Sequence, residues 1–161
     1  MITAAVLTLS DKGARGARQD TSGPAIEEML KGIGVEVIDY AILPDDKETI
    51  KVKLLEYCRR VDLILTTGGT GLGPRDVTPE ATIEIIDKEI PGIAEAMRAE
   101  GMKKTTRSML SRAVTGMRGR TLIINLPGSP KAVRENLETI LEVIPHAIEK
   151  IKGDPSECAS T

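Results

Sequence analysis

One stretch of this chain decides its fold class: Thr66-Thr67-Gly68-Gly69-Thr70-Gly71-Leu72-Gly73-Pro74-Arg75-Asp76. The apolar run of residues 61–65 precedes it and is typical of a buried parallel strand. Thr78 and Pro79 follow it and predict a helix start, with Thr78 as the N-cap and Pro79 at the first helical position. The sequence therefore predicts a strand, a loop with four glycines in six residues, and then a helix.

The glycine-rich loop is suited to an anionic ligand. Without Cβ atoms, its main-chain N–H groups can approach the ligand closely, and the carboxyl end of a strand is where open α/β sheets bind anions. The loop is neither a Walker A loop, because Pro74-Arg75 replace the required Lys and Ser/Thr, nor a dinucleotide fingerprint. A tight turn between strand and helix is the plain alternative. Arg75 and Asp76 favour a phosphate ligand with magnesium, since they supply a cation and a carboxylate.

The composition excludes several classes of function. A length of 161 residues predicts one domain, and with no Phe, no Trp and two Tyr its core must be aliphatic. Few aromatic residues and a formal charge of −2 argue against nucleic-acid binding. The sequence shows no signal peptide and no apolar run that could cross a membrane. Cys58 and Cys158 have no metal or redox spacing and are typical of reduced thiols in a cytoplasmic protein.

Strands and helices alternate along the chain. The predicted strands cover residues 1–9, 35–43, 61–65, 111–117 and 120–126. The predicted helices cover residues 22–31, 47–60, 81–87, 91–104, 131–143 and 145–151. This alternation indicates a three-layer α/β/α domain with a mostly parallel sheet over residues 1–152, followed by a flexible tail over residues 153–161.

Three predicted loops follow strands and end at helix starts, namely residues 10–24, 66–79 and 125–130. Loops that follow parallel strands lie at the same edge of a sheet. Together with Pro44-Asp45-Asp46 they can converge there. The sequence therefore predicts a single anion-binding cleft rather than scattered turns.

Six motifs, taken in order, resemble the signature of the molybdopterin adenylyltransferases, the MogA/MoaB family. They are Ser10-Asp11-Lys12, Asp20-Thr21-Ser22-Gly23-Pro24, Leu43-Pro44-Asp45-Asp46, residues 66–81, Leu110-Ser111-Arg112 and Asn125-Leu126-Pro127-Gly128-Ser129-Pro130-Lys131. The resemblance covers nearly the whole chain. It implies a molybdopterin-binding-like fold, a homotrimer, and transfer of AMP from ATP to the terminal phosphate of molybdopterin. A molybdate-inserting protein is a further partner that the resemblance leaves open.

The resemblance implies that Asp45 and Asp76 are the catalytic residues and the ligands of Mg²⁺. Family members without an acidic residue near position 45 are expected to be inactive, so a non-catalytic molybdopterin-binding or carrier protein is the alternative. From spacing alone, Asp45 is also explained as an N-cap, because Asp45 and Glu48 form a variant capping box. Asp46 could provide that cap instead. A strong general base is not required, since the attacking phosphate is already anionic.

The resemblance assigns the remaining site residues to substrate binding. They are Ser10, Asp11, Thr67, Gly68, Gly69, Thr70, Gly71, Arg75, Ser111, Asn125, Pro127, Gly128, Ser129 and Lys131. Ser111 and Ser129 correspond to hydroxyls on the pterin side, although a cap or a turn explains each of them as well. Without aromatic side chains for stacking, pterin recognition would rest on hydroxyl, amide and main-chain hydrogen bonds.

Overall fold

The computed structural model describes residues 1–155. Its strands are β1 (Ile2–Leu9), β2 (Val35–Leu43), β3 (Leu63–Thr67), β4 (Lys88–Glu89), β5 (Thr115–Arg118) and β6 (Thr121–Leu126). Its helices are α1 (Asp11–Ala14), α2 (Ser22–Gly32), α3 (Lys47–Tyr57), α4 (Thr78–Ile83), α5 (Pro91–Met102), α6 (Pro130–Ile140) and α7 (Val143–Ile151), with a 3₁₀ turn at Thr106–Leu110. Cys158 and most of the expected tail lie outside the described residues.

The sheet is mostly parallel, with the strand order β2-β1-β3-β6-β5-β4. β2, β1, β3 and β6 run in the same direction, while β5 and β4 form an antiparallel extension at one side. Thr67 pairs with Thr8 of β1 and with Leu126 of β6, so the three central strands end side by side. The loops that follow them therefore start at the same edge.

Helices cover both faces of the sheet and bury an aliphatic core on each side. One core cluster packs α2, α5, α6 and α7 against the sheet and includes Leu63 and Leu65. The other packs α3 and α4 against the opposite face and includes Ile64. Because successive strand residues point to opposite faces, β3 contributes to both clusters and is buried along its whole length. The predicted three-layer α/β/α architecture is confirmed.

The start of α4 differs from the sequence prediction. Thr78 is the first residue of the helix rather than its N-cap, which is Val77, and no side chain caps this end. The buried hydroxyl of Thr78 instead donates to the carbonyl of Gly68 at 2.9 Å. The prediction of a Thr78 cap is wrong because a tertiary contact uses the hydroxyl to fasten the preceding loop.

Several element boundaries also differ from the sequence prediction. The helix expected over residues 81–87 ends at Ile83, because the chain then turns to pair β4 with β5. The helix expected to reach residue 60 ends at Tyr57, and the strand expected from residue 111 begins at Thr115. The segment after β1, expected to be a loop, begins with α1, where Ser10 caps the N–H of Gly13. Within residues 1–155, no helix has the length and apolar character needed to cross a membrane.

Candidate active site

A cavity of about 560 Å³ lies at the carboxyl edge of the parallel strands. Its walls come from the end of β1, the segment between β1 and α2, and the loops after β2, β3 and β6. These are the loops that the parallel topology brings to one edge. The single cleft expected from the sequence is therefore present.

The predicted site residues divide into two groups by their relation to this cavity. Those that line it are Ser10, Asp45, Thr67, Gly68, Gly69, Asp76, Gly128 and Ser129. Those outside the lining are Asp11, Thr70, Gly71, Arg75, Ser111, Asn125, Pro127 and Lys131. The second group mostly supports the first, through the contacts described next.

The glycine loop, defined as residues 68–77, is held tightly between β1 and α4. Gly68 and Gly69 have φ angles of +95° and +67°, which L-residues with a side chain rarely adopt. A Cβ on Gly68 would lie 2.5 Å from the carbonyl oxygen of Leu9, and one on Gly69 would lie 2.2 Å from Oγ1 of Thr78. Both positions therefore require glycine, for their backbone angles and for the close approach.

Asp45 is free to act in the cavity because its neighbour caps the next helix. Asp46 is the N-cap of α3, and its Oδ2 accepts hydrogen bonds from the N–H and the hydroxyl of Thr49 at 2.9 and 2.6 Å. Asp45 instead exchanges hydrogen bonds with Asp11: each main-chain N–H donates to the carboxylate of the other residue, at 2.9 and 3.0 Å. The capping explanation of Asp45 is therefore wrong.

Asp76 is the second carboxylate of the cavity and folds back onto its own loop. Its Oδ2 accepts a hydrogen bond from the N–H of Gly73 at 2.9 Å. A Cβ on Gly71 or on Gly73 would lie 2.9 or 3.0 Å from the same oxygen. Glycines at these two positions thus leave room for the carboxylate.

Arg75 lies outside the cavity lining and forms an ion pair with Asp11. Its Nε and Nη2 donate to the two carboxylate oxygens of Asp11 at 3.0 and 2.9 Å, a bidentate arrangement. Hydrogen bonds from Arg75 and from the N–H of Asp45 lower the pKa of the Asp11 carboxyl. Because Asp11 also contacts Asp45, one chain of contacts links the glycine loop to the loop that carries Asp45.

The charges around Asp45 make this position suitable for a cation. Burial raises the pKa of its carboxyl, and the charges of Asp11 and Asp76 add to that effect, against the hydrogen bond from Asp11. The Oδ1 atoms of Asp45 and Asp76 accept no hydrogen bond from residues 1–155. A bound cation would relieve the repulsion between these carboxylates.

The two carboxylates of the cavity are suited to a magnesium ion that is also bound by a phosphate of the substrate. In the described part of the chain, no group of three or more His, Cys, Asp or Glu side chains is arranged to hold a metal ion. Mg²⁺ is commonly held by one or two carboxylates together with substrate phosphates and water. Asp45 and Asp76, both lining one cavity, match that arrangement.

The proline loop, defined as residues 127–130, forms the opposite part of the site. The hydroxyl of Ser22 donates to the carbonyl of Gly128 at 2.8 Å, and that of Thr67 donates to the carbonyl of Pro127 at 2.7 Å. Ser129 is the N-cap of α6, since its Oγ accepts from the N–H of Ala132 at 3.2 Å. The same residue lines the cavity, so capping does not exclude it from ligand binding.

Asn125 and the segment around Ser111 support the loops from behind. Asn125 is fully buried; its amide accepts a hydrogen bond from the N–H of Val114 and donates to the hydroxyls of Thr66 and Thr82. These bonds join β6 to the segment before β5, to β3 and to α4. Next to Ser111, the Arg112 side chain donates to the carbonyls of Gly71 and Asp76 at 2.8 Å each. The N–H of Arg112 donates to the carbonyl of Thr70 at 3.0 Å. These contacts fix the shape of the glycine loop.

The remaining predicted residues have simpler surroundings. The Oγ of Ser111 accepts a hydrogen bond from the N–H of Ala113 at 3.3 Å, which is a local turn contact. Lys131 is exposed in the first turn of α6. Neither side chain lines the cavity.

Part of the cavity lining, between the end of β1 and the start of α2, has no ligand role predicted from the sequence. These residues are Thr8, Leu9, Gly13, Arg18, Gln19, Asp20, Thr21 and Ser22, with Pro130 on the opposite side. Asp20 anchors this segment, accepting hydrogen bonds from Thr8, from Tyr40 and from the N–H groups of Ser22 and Gly23. The local signal was an Asp two residues before a Ser at a helix start, which is typical of an Asx turn.

At Asp20, the combined effect of the hydrogen bonds on the carboxyl pKa is larger than the effect of burial. Burial raises the pKa of its carboxyl, but the hydrogen bonds from Tyr40, Thr8, Gly23 and Ser22 bring that pKa below its usual value. Burial and the hydrogen bond to Asp20 raise the pKa of Tyr40 to about 12. The carboxylate is thus ionised and occupied by donors from β1, β2 and α2.

Comparison with known proteins gives a consistent result. Residues 5–146 match a family model described as a probable molybdopterin binding domain. A molybdopterin adenylyltransferase of Helicobacter pylori J99 is 40% identical over 153 residues, which cover 92% of this chain and 87% of that protein. The molybdopterin adenylyltransferase of Escherichia coli K12 is 34% identical, covering 96% and 87%. The crystal structure of the molybdopterin biosynthesis enzyme MoaB from Thermus thermophilus superposes with a TM-score of 0.90 at 54% identity, covering 98% of this chain and 100% of that one.

Proposed function

The chain belongs to the molybdopterin-binding domain family, and we propose that it transfers AMP from ATP to the terminal phosphate of molybdopterin during molybdenum cofactor biosynthesis. The observation that carries this proposal is the pair of carboxylates, Asp45 and Asp76, in one cavity with the glycine loop. A non-catalytic pterin-binding protein would have no need for two mutually repelling carboxylates at that position.

The reaction exchanges one phosphorus–oxygen bond for another. A phosphate oxygen of molybdopterin attacks the α-phosphorus of ATP and forms the new bond. The bond between the α-phosphorus and the oxygen that bridges to the β-phosphate breaks, and pyrophosphate leaves with its electron pair. Because the attacking oxygen is anionic, the protein needs to remove no proton. Its task is to bring two anions together and to stabilise the charge that develops.

Each part of the cavity has a role in that task. Asp45 and Asp76 would hold Mg²⁺, which neutralises charge on the phosphates when it is bound. The N–H of Gly69 has no hydrogen-bond partner among the described residues, so it is available to a phosphate oxygen. Asp11 and Arg75 keep Asp45 in place through their hydrogen bonds. On the other side, the Ser129 O–H can still donate, and the main-chain N–H of Gly128 has no partner among the described residues, so both are available to the pterin.

The test is incubation of the pure protein with ATP, MgCl₂ and molybdopterin, followed by chromatography. We expect adenylylated molybdopterin and pyrophosphate in equal amounts, and neither product when EDTA removes the divalent cation. Binding of molybdopterin without either product, at saturating Mg²⁺ and ATP, would support the carrier protein instead.

The homotrimer, the molybdate-inserting partner and the cytoplasmic location stay predictions. The exposed side chains of Met102, Met109 and Leu110, on α5 and the 3₁₀ turn after it, support self-association through this surface. Light scattering coupled to a sizing column should give the mass of three chains at micromolar concentration. A monomer under those conditions would contradict the trimer.

A further inference from the structure

Arg18 gives the cavity wall its positive charge. Among the described residues that line the cavity, Arg18 is the single Lys or Arg, whereas Asp20, Asp45 and Asp76 are acidic. The substrates of the proposed reaction are polyanions. A cation on Asp45 and Asp76 can neutralise only the phosphate oxygens that it contacts, so further phosphate charge needs a positive partner elsewhere in the wall.

Arg18 is also free to bind a ligand. Its side chain is exposed and has no ion pair or hydrogen bond within the described part of the chain. Asp20, two residues further on, does not compete for it, because Thr8, Tyr40 and the start of α2 occupy that carboxylate. A ligand phosphate would therefore gain the guanidinium without breaking an existing contact.

The other arginines near the cavity are already engaged. Arg75 uses Nε and Nη2 on Asp11, and Arg112 donates to Gly71 and Asp76 and pairs with Glu80. Moving either of them to a phosphate would break contacts that shape the glycine loop. The sequence pointed to Arg75 as the phosphate cation, but the contacts favour Arg18.

The backbone around Arg18 is fixed on both sides. Before it, a turn is closed by hydrogen bonds from Gly16 to Gly13 at 3.0 Å and from Ala17 to Lys12 at 2.9 Å. Gly16 has a φ of +73°, which suits such a turn. After it, Asp20 is anchored by its four donors. The guanidinium thus extends from a segment that is tied down at both ends.

We propose that Arg18 binds a phosphate group of the substrates, an inference that rests on the proposed adenylyl transfer. A guanidinium suits this role because it can make two parallel hydrogen bonds to one phosphate. The phosphate belongs either to the β/γ end of ATP or to molybdopterin. The two sources share the same chemistry and are separated by measuring each ligand alone.

The test compares Arg18→Gln with Arg15→Gln by titration calorimetry. Arg15 lies in the same segment and is exposed, but it does not line the cavity, which makes it a matched control. One arm of the experiment uses ATP with Mg²⁺ and the other uses molybdopterin. We expect Arg18→Gln to weaken the affinity for one of the two ligands by about tenfold, the scale of one charge-assisted hydrogen bond. Arg15→Gln should change neither arm by more than about twofold. The ligand whose affinity falls is the one whose phosphate binds Arg18.

Steady-state kinetics provide a second readout. If Arg18 contributes binding alone, Arg18→Gln should raise the KM of the affected substrate and leave kcat close to the wild-type value. Equal, small effects of the two variants in both arms would overturn the role of Arg18 and leave the proposed function standing. If the wild-type protein binds neither ligand, the proposed function and the role of Arg18 both fail. Because Arg18 has no partner among residues 1–155, melting temperatures should be the same in all three proteins.

Discussion

The glycine loop and the proline loop follow neighbouring strands and both lead into a helix with proline in its first turn, yet they are built differently. In the glycine loop, two residues have positive φ and have no room for a Cβ. In the proline loop, Gly128 has no positive φ, and a Cβ on it would meet the Cα of Gly68 at 3.4 Å, close to an ordinary contact. The glycine loop needs the backbone angles of Gly68 and Gly69 in addition to side-chain contacts from Thr78 and Arg112. The proline loop needs no such angles and is held by hydroxyl contacts from Ser22, Thr67 and Ser129.

Two loops that follow neighbouring strands can therefore be shaped differently, one by its backbone angles and the other by side-chain hydrogen bonds. A loop that depends on positive φ should tolerate few substitutions at Gly68 and Gly69, because a side chain disfavours those angles and would meet a carbonyl oxygen or a hydrogen-bonded hydroxyl. A loop held by hydroxyls should lose its contacts one at a time, each at modest cost.

The carboxylate of the glycine loop should matter most. Asp76→Asn keeps the shape of the side chain but removes a negative charge at the proposed metal position. We expect AMP transfer to fall by about 10²–10³-fold, as when a positioned electrostatic group is lost from a transition state. Molybdopterin affinity should stay within about twofold of wild type, since its contacts are expected from the proline loop. Comparable rates for the variant and the wild type would remove Asp76 from the mechanism.

One glycine from each loop, substituted by alanine, should show the difference between the loops as a difference in the free energy of unfolding. Gly69→Ala places a Cβ at positive φ and 2.2 Å from Oγ1 of Thr78, so it should lower the free energy of unfolding by about 1–3 kcal/mol. Gly128→Ala should change that free energy by no more than about 0.5 kcal/mol. Urea denaturation of both variants measures the contrast. Similar losses in the two variants would mean that the loops do not differ in this respect.

Arg75 should act through Asp11 rather than on the substrate. Arg75→Gln removes the bidentate pair that holds Asp11, and through it Asp45. We expect the Mg²⁺ concentration for half-maximal rate to rise by about tenfold, a scale seen when residues that orient metal ligands are removed. The molybdopterin KM should not change. A rise in the KM of ATP at saturating Mg²⁺, with the Mg²⁺ dependence unaltered, would instead place Arg75 on a phosphate.

Ser129 should have a modest effect on stability and a separate effect on ligand binding. Ser129→Ala removes the N-cap of α6 and should cost about 1 kcal/mol in the free energy of unfolding. Ser129→Asp restores a good cap but places a negative charge beside the anionic ligands. If Ser129 also binds the pterin, both variants should raise the molybdopterin KM, while only Ser129→Ala loses stability. Recovery of the KM together with stability in Ser129→Asp would limit Ser129 to capping.

The parts of the fold that follow from local pattern could be predicted from the sequence. The buried run of β3, the four glycines and the Pro-containing helix starts predict a parallel sheet with loops at one edge. The edge strand β4 could not be predicted, because its two residues are strand only through pairing with β5. The Thr78 hydroxyl is a second case: the sequence predicts a cap, whereas its partner, the Gly68 carbonyl, is set by tertiary packing.

The site was harder to predict, because the role of each side chain depends on contacts with residues that are distant in sequence. Arg75 is adjacent to the glycine loop in sequence, but its ion-pair partner Asp11 lies 64 residues away. Asp45 and Asp46 have nearly the same spacing from α3, and only the structure shows that Asp46 is the cap. Asp20 and Tyr40 come from different elements and carry no shared motif. Composition and spacing identify the residue types of such a site, whereas the pairing depends on the folded chain.

The most direct test of the two-carboxylate site compares Asp45→Asn with Asp46→Ala. Asp45 should supply charge to the site and Asp46 should supply a cap to α3, although the two residues are adjacent. For Asp45→Asn, we predict a melting temperature close to wild type, intact molybdopterin binding and a loss of AMP transfer of about 10²-fold or more. For Asp46→Ala, we predict a melting temperature lower by a few degrees and nearly normal turnover. Near-normal turnover of the purified Asp45→Asn protein would contradict the two-carboxylate site and support the carrier protein.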